Sequence, residues 1–326
     1  MLHENWRGRL GPSAFGADGR LVDWRSGLLP CLRSLRTAEA MRLFDTARLR
    51  QPESAAAMAL NSFLVWRDRP RDLRLGERSA FTELRFAARC PTGVRGTPPY
   101  LDLIAANGEA LVTVTARGPD YLAKKPSRLA RAYADISLPE SMRGWQALLQ
   151  DLQSEPGRFR HVDAPALVKN AIGIFRTFPG HRATLLYLFW EPEPAEALDF
   201  RRHRAELQAI LQQVGGSAVT LQAQSFAELW RDWERRPDGP WLRAMVAGTR
   251  RGCHRSPRSA DSPGIAVGGP PAGAPGRTAV PEQKRTGDGP PWRKNGLPVS
   301  TGRRCASRAT RAFDLPCLAW PDPPCH

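Results

Sequence analysis

Residues 101–117 read L-D-L-I-A-A-N-G-E-A-L-V-T-V-T-A-R. Two apolar, β-rich runs flank Asn107-Gly108, a dipeptide that favours a hairpin turn. Asp102 sits just inside the first run, and Thr115 and Arg117 close the second. A carboxylate on one strand facing a second carboxylate on its partner is a way to clamp a hard divalent cation such as Mg²⁺. A lysine two residues beyond the second carboxylate would share its face, because strand side chains alternate with period two. Together such groups polarise a phosphodiester and activate the attacking water. In this chain Asp102 suits the first position, but Thr115 and Arg117 stand across the turn. A lone Thr is a poor metal ligand. Arg is permanently charged, so it binds phosphate rather than acting as a base. Glu83, at or just before the preceding strand, is the second candidate ligand beside Asp102 for Mg²⁺. Glu109 flanks the turn and reads as solvent-facing.

These residues need a scaffold to position them. Ser54 is a good N-cap for a helix through A-A-A-M-A-L-N-S-F-L. Phe81 to Cys90 reads as a strand stopped by Pro91, and the Asn-Gly hairpin follows it. Leu138-Pro139-Glu140 opens a helix through W-Q-A-L-L-Q-D-L. Asp163 caps a second, A-P-A-L-V-K-N-A-I-G-I-F, which carries Lys169. Ala183 to Trp190 is a buried strand. Ala195 to Val214 is an amphipathic helix ended by Gly215-Gly216, with Leu198, Leu207, Ile210 and Leu211 on its stripe. His203 reads as an exposed residue of that helix unless it touches the site. The strand S-A-V-T-L-Q-A and the helix F-A-E-L-W-R-D-W-E-R complete the pattern. The order, with a hairpin and crossovers, indicates an α/β fold on a mixed sheet flanked by helices.

The chain divides by composition into a weakly ordered N-terminal extension (1–50), a folded domain (51–247) and a Pro/Gly/Arg-rich tail (248–326). The tail is read as disordered, because it lacks the apolar periodicity needed to offset its ordering entropy. The formal charge of +16 favours anionic partners, DNA above all. About half of that charge lies in the tail, however. Only five of the 48 basic residues are Lys, as a GC-rich coding bias would give. The six cysteines are widely spaced and indicate neither a zinc module nor a disulfide framework. No run suits a membrane span or a signal peptide, so a cytoplasmic protein without membrane contact is expected. Phosphate-loop, dinucleotide-binding, zinc-protease and serine-hydrolase motifs are missing.

A resemblance sharpens this outline. From Ser54 to Glu234 the chain resembles restriction-endonuclease-like proteins of the PD-(D/E)XK nuclease superfamily. The likeness is carried by A-L-N-S-F-L, F-T-E-L-R-F-A-A-R-C-P-T-G-V-R-G-T-P-P-Y-L-D-L-I, D-A-P-A-L-V-K-N-A-I-G, L-L-Y-L-F-W-E-P and F-A-E-L-W-R-D-W. It implies a restriction-endonuclease-like fold, Mg²⁺ as cofactor and DNA as substrate. Its working residues would be an upstream acid, an Asp, a Glu-x-Lys on the next strand, and a Gln and Lys on a helix. Asp102 and Lys169 match. The upstream acid falls at Ala87, the Glu-x-Lys at Thr115-Ala116-Arg117 and the Gln at Ala166. The expected site is therefore Asp102, Thr115, Arg117 and Lys169, with Glu83 and Asp102 as metal ligands. The expected function is a DNA endonuclease with a degenerate site that impairs or abolishes cleavage. Two alternatives stand beside it: a non-cleaving nucleic-acid-binding module using Arg89, Arg95, Arg117, Lys124, Lys125 and Arg128, or the product of a decayed gene.

Overall fold

The computed structural model describes residues 11–36, 46–51, 54–118, 128–192, 195–237 and 242–243. The tail after residue 247, Lys124, Lys125 and residues 37–45 lie outside the described residues.

Five strands form one mixed sheet in the order β1-β2-β3-β4-β5. They are β1 (Glu83–Arg89), β2 (Tyr100–Ala106), β3 (Ala110–Arg117), β4 (Arg182–Phe189) and β5 (Val219–Ser225). β1, β2 and β3 are an antiparallel meander, whereas β4 runs parallel to β3 and β5 parallel to β4. The parallel joins need crossovers, which helices supply. The helices are α1 (Thr46–Leu49), α2 (Ala55–Phe63), α3 (Arg143–Ser154), α4 (Ala164–Thr177), α5 (Leu198–Gln213) and α6 (Phe226–Glu234). This is the α/β mixed sheet with flanking helices that periodicity indicates.

Alternation assigns each strand residue to a face. Leu103, Ala105, Val112, Val114, Ala116, Leu186 and Leu188 point to one core, which Phe63 of α2 and Phe226, Leu229 and Trp233 of α6 complete. On the other face α3 and α4 pack on each other, and α4 lies against β4 and β5. Asp102, Ile104, Thr113, Thr115 and Tyr187 point that way, by the period-two rule.

Local chemistry fixes the element ends. Ser54, Asp163 and Ser225 each accept a backbone N–H at a helix start, and Ser225 with Glu228 forms a full capping box. The hairpin turn is built differently from the expected Asn-Gly turn. Gly108 is not among the positive-φ residues. Instead the Asn107 carboxamide accepts the N–H groups of Glu109 and Ala110 at 3.0 and 2.8 Å, an Asx turn.

Residues 11–36 are not a loose extension. They wind through short 3-10 turns whose period matches neither helix nor strand, so the pattern is hidden in the sequence. Trp24, Leu28 and Leu35 pack with Leu49, Ala57, Leu60 and Leu64 in a second core. The buried Asn61 fastens this segment to α2, donating to Gly27 O and accepting from Leu29 N, both at 2.9 Å. Two readings of α5 are also corrected. Leu198 is exposed, and His203 is fully buried.

Candidate functional site

Asp102, Thr115, Arg117 and Lys169 line a single cleft of about 520 Å³, together with Arg48, Tyr100, Asp163 and Ala166. The sheet register explains their convergence. Leu103 pairs with Val114, so the same register sets Asp102 opposite Thr115. Phe86 pairs with Leu103 and Ala88 with Leu101, which sets Ala87 opposite Asp102 on the other side. Neither Ala87 nor Thr115 is among Asp102's ladder partners, so the sheet opens at this row. Ala87 has φ 48°, a left-handed conformation uncommon for a residue with a Cβ, and it breaks the β1–β2 ladder there. α4 runs over the opening and contributes Ala166, Lys169 and Asn170.

The Asp102 carboxylate is committed to the backbone. Its Oδ2 accepts the Ala116 N–H at 2.7 Å. Asp102 keeps partial exposure to the cleft. Burial nonetheless pushes its carboxyl above the ordinary range, and the Ala116 N–H, Arg117 and Arg48 offset only part of that shift. Arg117 folds back over its own strand, donating to Thr115 Oγ1 at 3.2 Å and to Ala116 O at 3.0 Å. Its guanidinium lies 5.9 Å from the centroid of the Tyr187 ring beneath. Lys169 donates to Arg128 O at 3.0 Å and sits 5.8 Å from the Tyr133 ring.

Glu83 does not join them. It pairs with Ala106, four residues from Asp102 along β2, or roughly 13 Å at the rise of a strand. Its carboxylate holds Arg85 at 2.5 Å. Nearness in sequence misled here, because β1 runs antiparallel and carries Glu83 to the far end of β2.

Sequence reasoning missed several cleft residues, Tyr100 and two charged ones, Arg48 and Asp163, among them. Arg48 comes from α1, outside the stretch that carries the motif. Asp163 is recognisable as a helix cap, and its Oδ1 accepts the Ala166 N–H at 3.2 Å, yet it also faces the cleft. The segment just before it is held by Glu206 of α5, which accepts the backbone N–H groups of Arg160, His161 and Val162 at 2.8–3.1 Å. Burial would raise the Glu206 carboxyl, but His161 and these three N–H groups outweigh it and hold it below its usual range. Behind the cleft, Tyr187 OH lies 3.1 Å from His203 Nε2. Burial raises the Tyr187 phenol and pushes His203 down to about 4, so both stay neutral at pH 7.

The donor set fits Mg²⁺ poorly. A magnesium site needs carboxylate oxygens converging on one point. Here one oxygen of Asp102 is occupied by an N–H, its flanking positions are Ala87 and Thr115, and Asp163 is committed to a helix cap. Among the described residues no group of three or more His, Cys, Asp or Glu side chains is placed to hold a metal. Arg48, Arg117 and Lys169 make the same cleft suited to an anion. Among the described residues no helix is long and apolar enough to cross a membrane. No family model, curated protein or solved structure matches the chain.

Proposed function

We propose that this protein binds DNA through its phosphates, on a restriction-endonuclease-like scaffold that no longer cleaves. The observation that carries the reading is the Asp102 row. Its carboxylate is tied to Ala116 N–H, Ala87 and Thr115 flank it, and Arg117 stands where a catalytic lysine would. The three-strand meander followed by parallel crossover strands supports the scaffold. Without a second carboxylate, a metal and its activated water are not held. A guanidinium still offers a paired donor set to a phosphate. The reading therefore favours the non-cleaving module over an active endonuclease.

The test uses the full chain with supercoiled plasmid and with labelled oligonucleotides. No nicking is expected with Mg²⁺ or Mn²⁺. Binding should weaken with salt, because each cation that meets a phosphate releases a counterion. Three such contacts imply roughly 20- to 40-fold weaker binding between 50 and 200 mM salt. Arg117→Ala should lower affinity and flatten that slope. Cleavage that disappears in Asp102→Ala would show an active nuclease and overturn the reading. Salt-insensitive binding, or none, would remove the DNA-binding claim.

A further inference from the structure

Tyr100 opens β2 two residues before Asp102, so both side chains share a face of the sheet. The ring is 46% exposed and lines the cleft. Val22 and Leu198 are the other exposed large hydrophobics among the described residues, and neither lies there. Arg89 pairs with Tyr100 across β1 and β2. Its Nε donates to the Tyr100 hydroxyl, and its guanidinium sits 5.0 Å from the ring centroid. Extending the β2–β3 register puts Arg117 opposite Tyr100 on the other side. Tyr100 is thus an exposed ring of the cleft held by one cation, Arg89, with a second, Arg117, lining the same cleft.

We infer that Tyr100 is a stacking platform for an unpaired base, and that the DNA this cleft takes is single-stranded. The inference rests on reading the cleft as a phosphate-binding site. In a duplex both faces of each base are already stacked, so an exposed ring could touch only backbone. A single strand offers free base faces, and aromatic rings flanked by cations are how proteins hold such strands without reading sequence. The ring lies about 7 Å along the strand from the Asp102 row, comparable to the reach from a nucleotide's phosphate to its base. Arg89 holds the ring in place beforehand, so little side-chain freedom is lost on binding.

Fluorescence anisotropy of the full chain with three probes tests this: an oligothymidylate, a duplex of the same length, and an abasic deoxyribose-phosphate strand. Stacking on one ring multiplies affinity by about 5- to 150-fold. Oligothymidylate should therefore bind tighter than either other probe. Tyr100→Ala should weaken it by about tenfold or more while leaving the abasic strand unchanged, and Tyr100→Phe should retain the preference. Equal weakening of oligothymidylate and the abasic strand by Tyr100→Ala would overturn the platform. So would a preference for duplex, even with salt-dependent binding and the Arg117→Ala loss intact. Failure of all three probes to bind at low salt would instead sink the phosphate-binding reading beneath it.

Discussion

The role assigned to Asp102 separates into two measurable parts. Asp102→Asn keeps an oxygen for the Ala116 N–H and removes the charge. Asp102→Ala removes both. Ala116 is buried and its N–H bond to Oδ2 is 2.7 Å, so the alanine variant strands a buried donor. That costs about 1–3 kcal/mol, or roughly 3–10 °C in Tm for a domain of this size. Asp102→Ala should fall below Asp102→Asn by this amount at every pH. The charge acts separately. Burial raises the folded-state carboxyl above the ordinary 3.8. A raised acid favours the folded state most below the unfolded value, and that contribution is lost as pH rises through the folded value. Asp102→Asn should therefore gain on the native protein from pH 4 upward and then level off. Urea unfolding of all three proteins between pH 4 and 8 measures both differences. Equal stability of the Asn and Ala variants would remove the backbone role. A gap that closes with rising pH would refute the sign of the shift. The neutral amide should also leave Arg48 and Arg117 less compensated and tighten DNA binding, whereas a metal-dependent site would lose function in both variants.

Three further perturbations probe the scaffold. A Cβ on Gly173 would lie 2.3 Å from Cys90 O, so Gly173→Ala should push α4 off the β1–β2 connection, cost about 1–3 kcal/mol and weaken DNA binding, read by unfolding and anisotropy. Asn61→Ala leaves the Gly27 carbonyl and the Leu29 N–H without their side-chain partner; a loss of about 2–4 kcal/mol and early proteolysis within residues 11–36 are expected. His203, held down to about 4 from 6.5 by burial, stays neutral in the fold while the unfolded chain takes up a proton. Its contribution is complete above pH 6.5 and is lost as pH falls toward 4, by up to about 3 kcal/mol; His203→Gln should flatten that acid limb, and the imidazole should titrate near 4 by NMR.

What the sequence disclosed follows from where a regular period exists. All five strands and the caps at Ser54 and Asp163 are legible, since alternation and capping are local. Asp102, Thr115, Arg117 and Lys169 are brought together by a hairpin register and a helix spacing, both countable along the chain. Residues 11–36 were opaque because 3-10 turns leave no apolar stripe. His203 was misread because its helical neighbours Arg201, Arg202 and Arg204 are charged, while the groups that bury it, Tyr187 and Phe189, lie on β4. Glu83 failed for a topological reason, and Arg48 is joined to the cleft only by tertiary packing.

The cleft's electrostatics then bind these pieces into one argument. An ionised carboxylate enclosed in protein is costly unless it is hydrogen-bonded and balanced by charge. A bound cation would supply that balance in a metal site. In this cleft Arg117 and Arg48 lie close enough to lower the Asp102 carboxyl, with Ala116 N–H as its direct partner. A divalent ion entering there would meet one half-committed carboxylate and two fixed positive charges, so repulsion opposes it. A phosphate meets the reverse field: attraction from Arg48, Arg117 and Lys169 against one partly compensated carboxylate. The charge set of the cleft, one hydrogen-bonded carboxylate among Arg48, Arg117 and Lys169, therefore favours an anion such as a phosphate over a divalent cation.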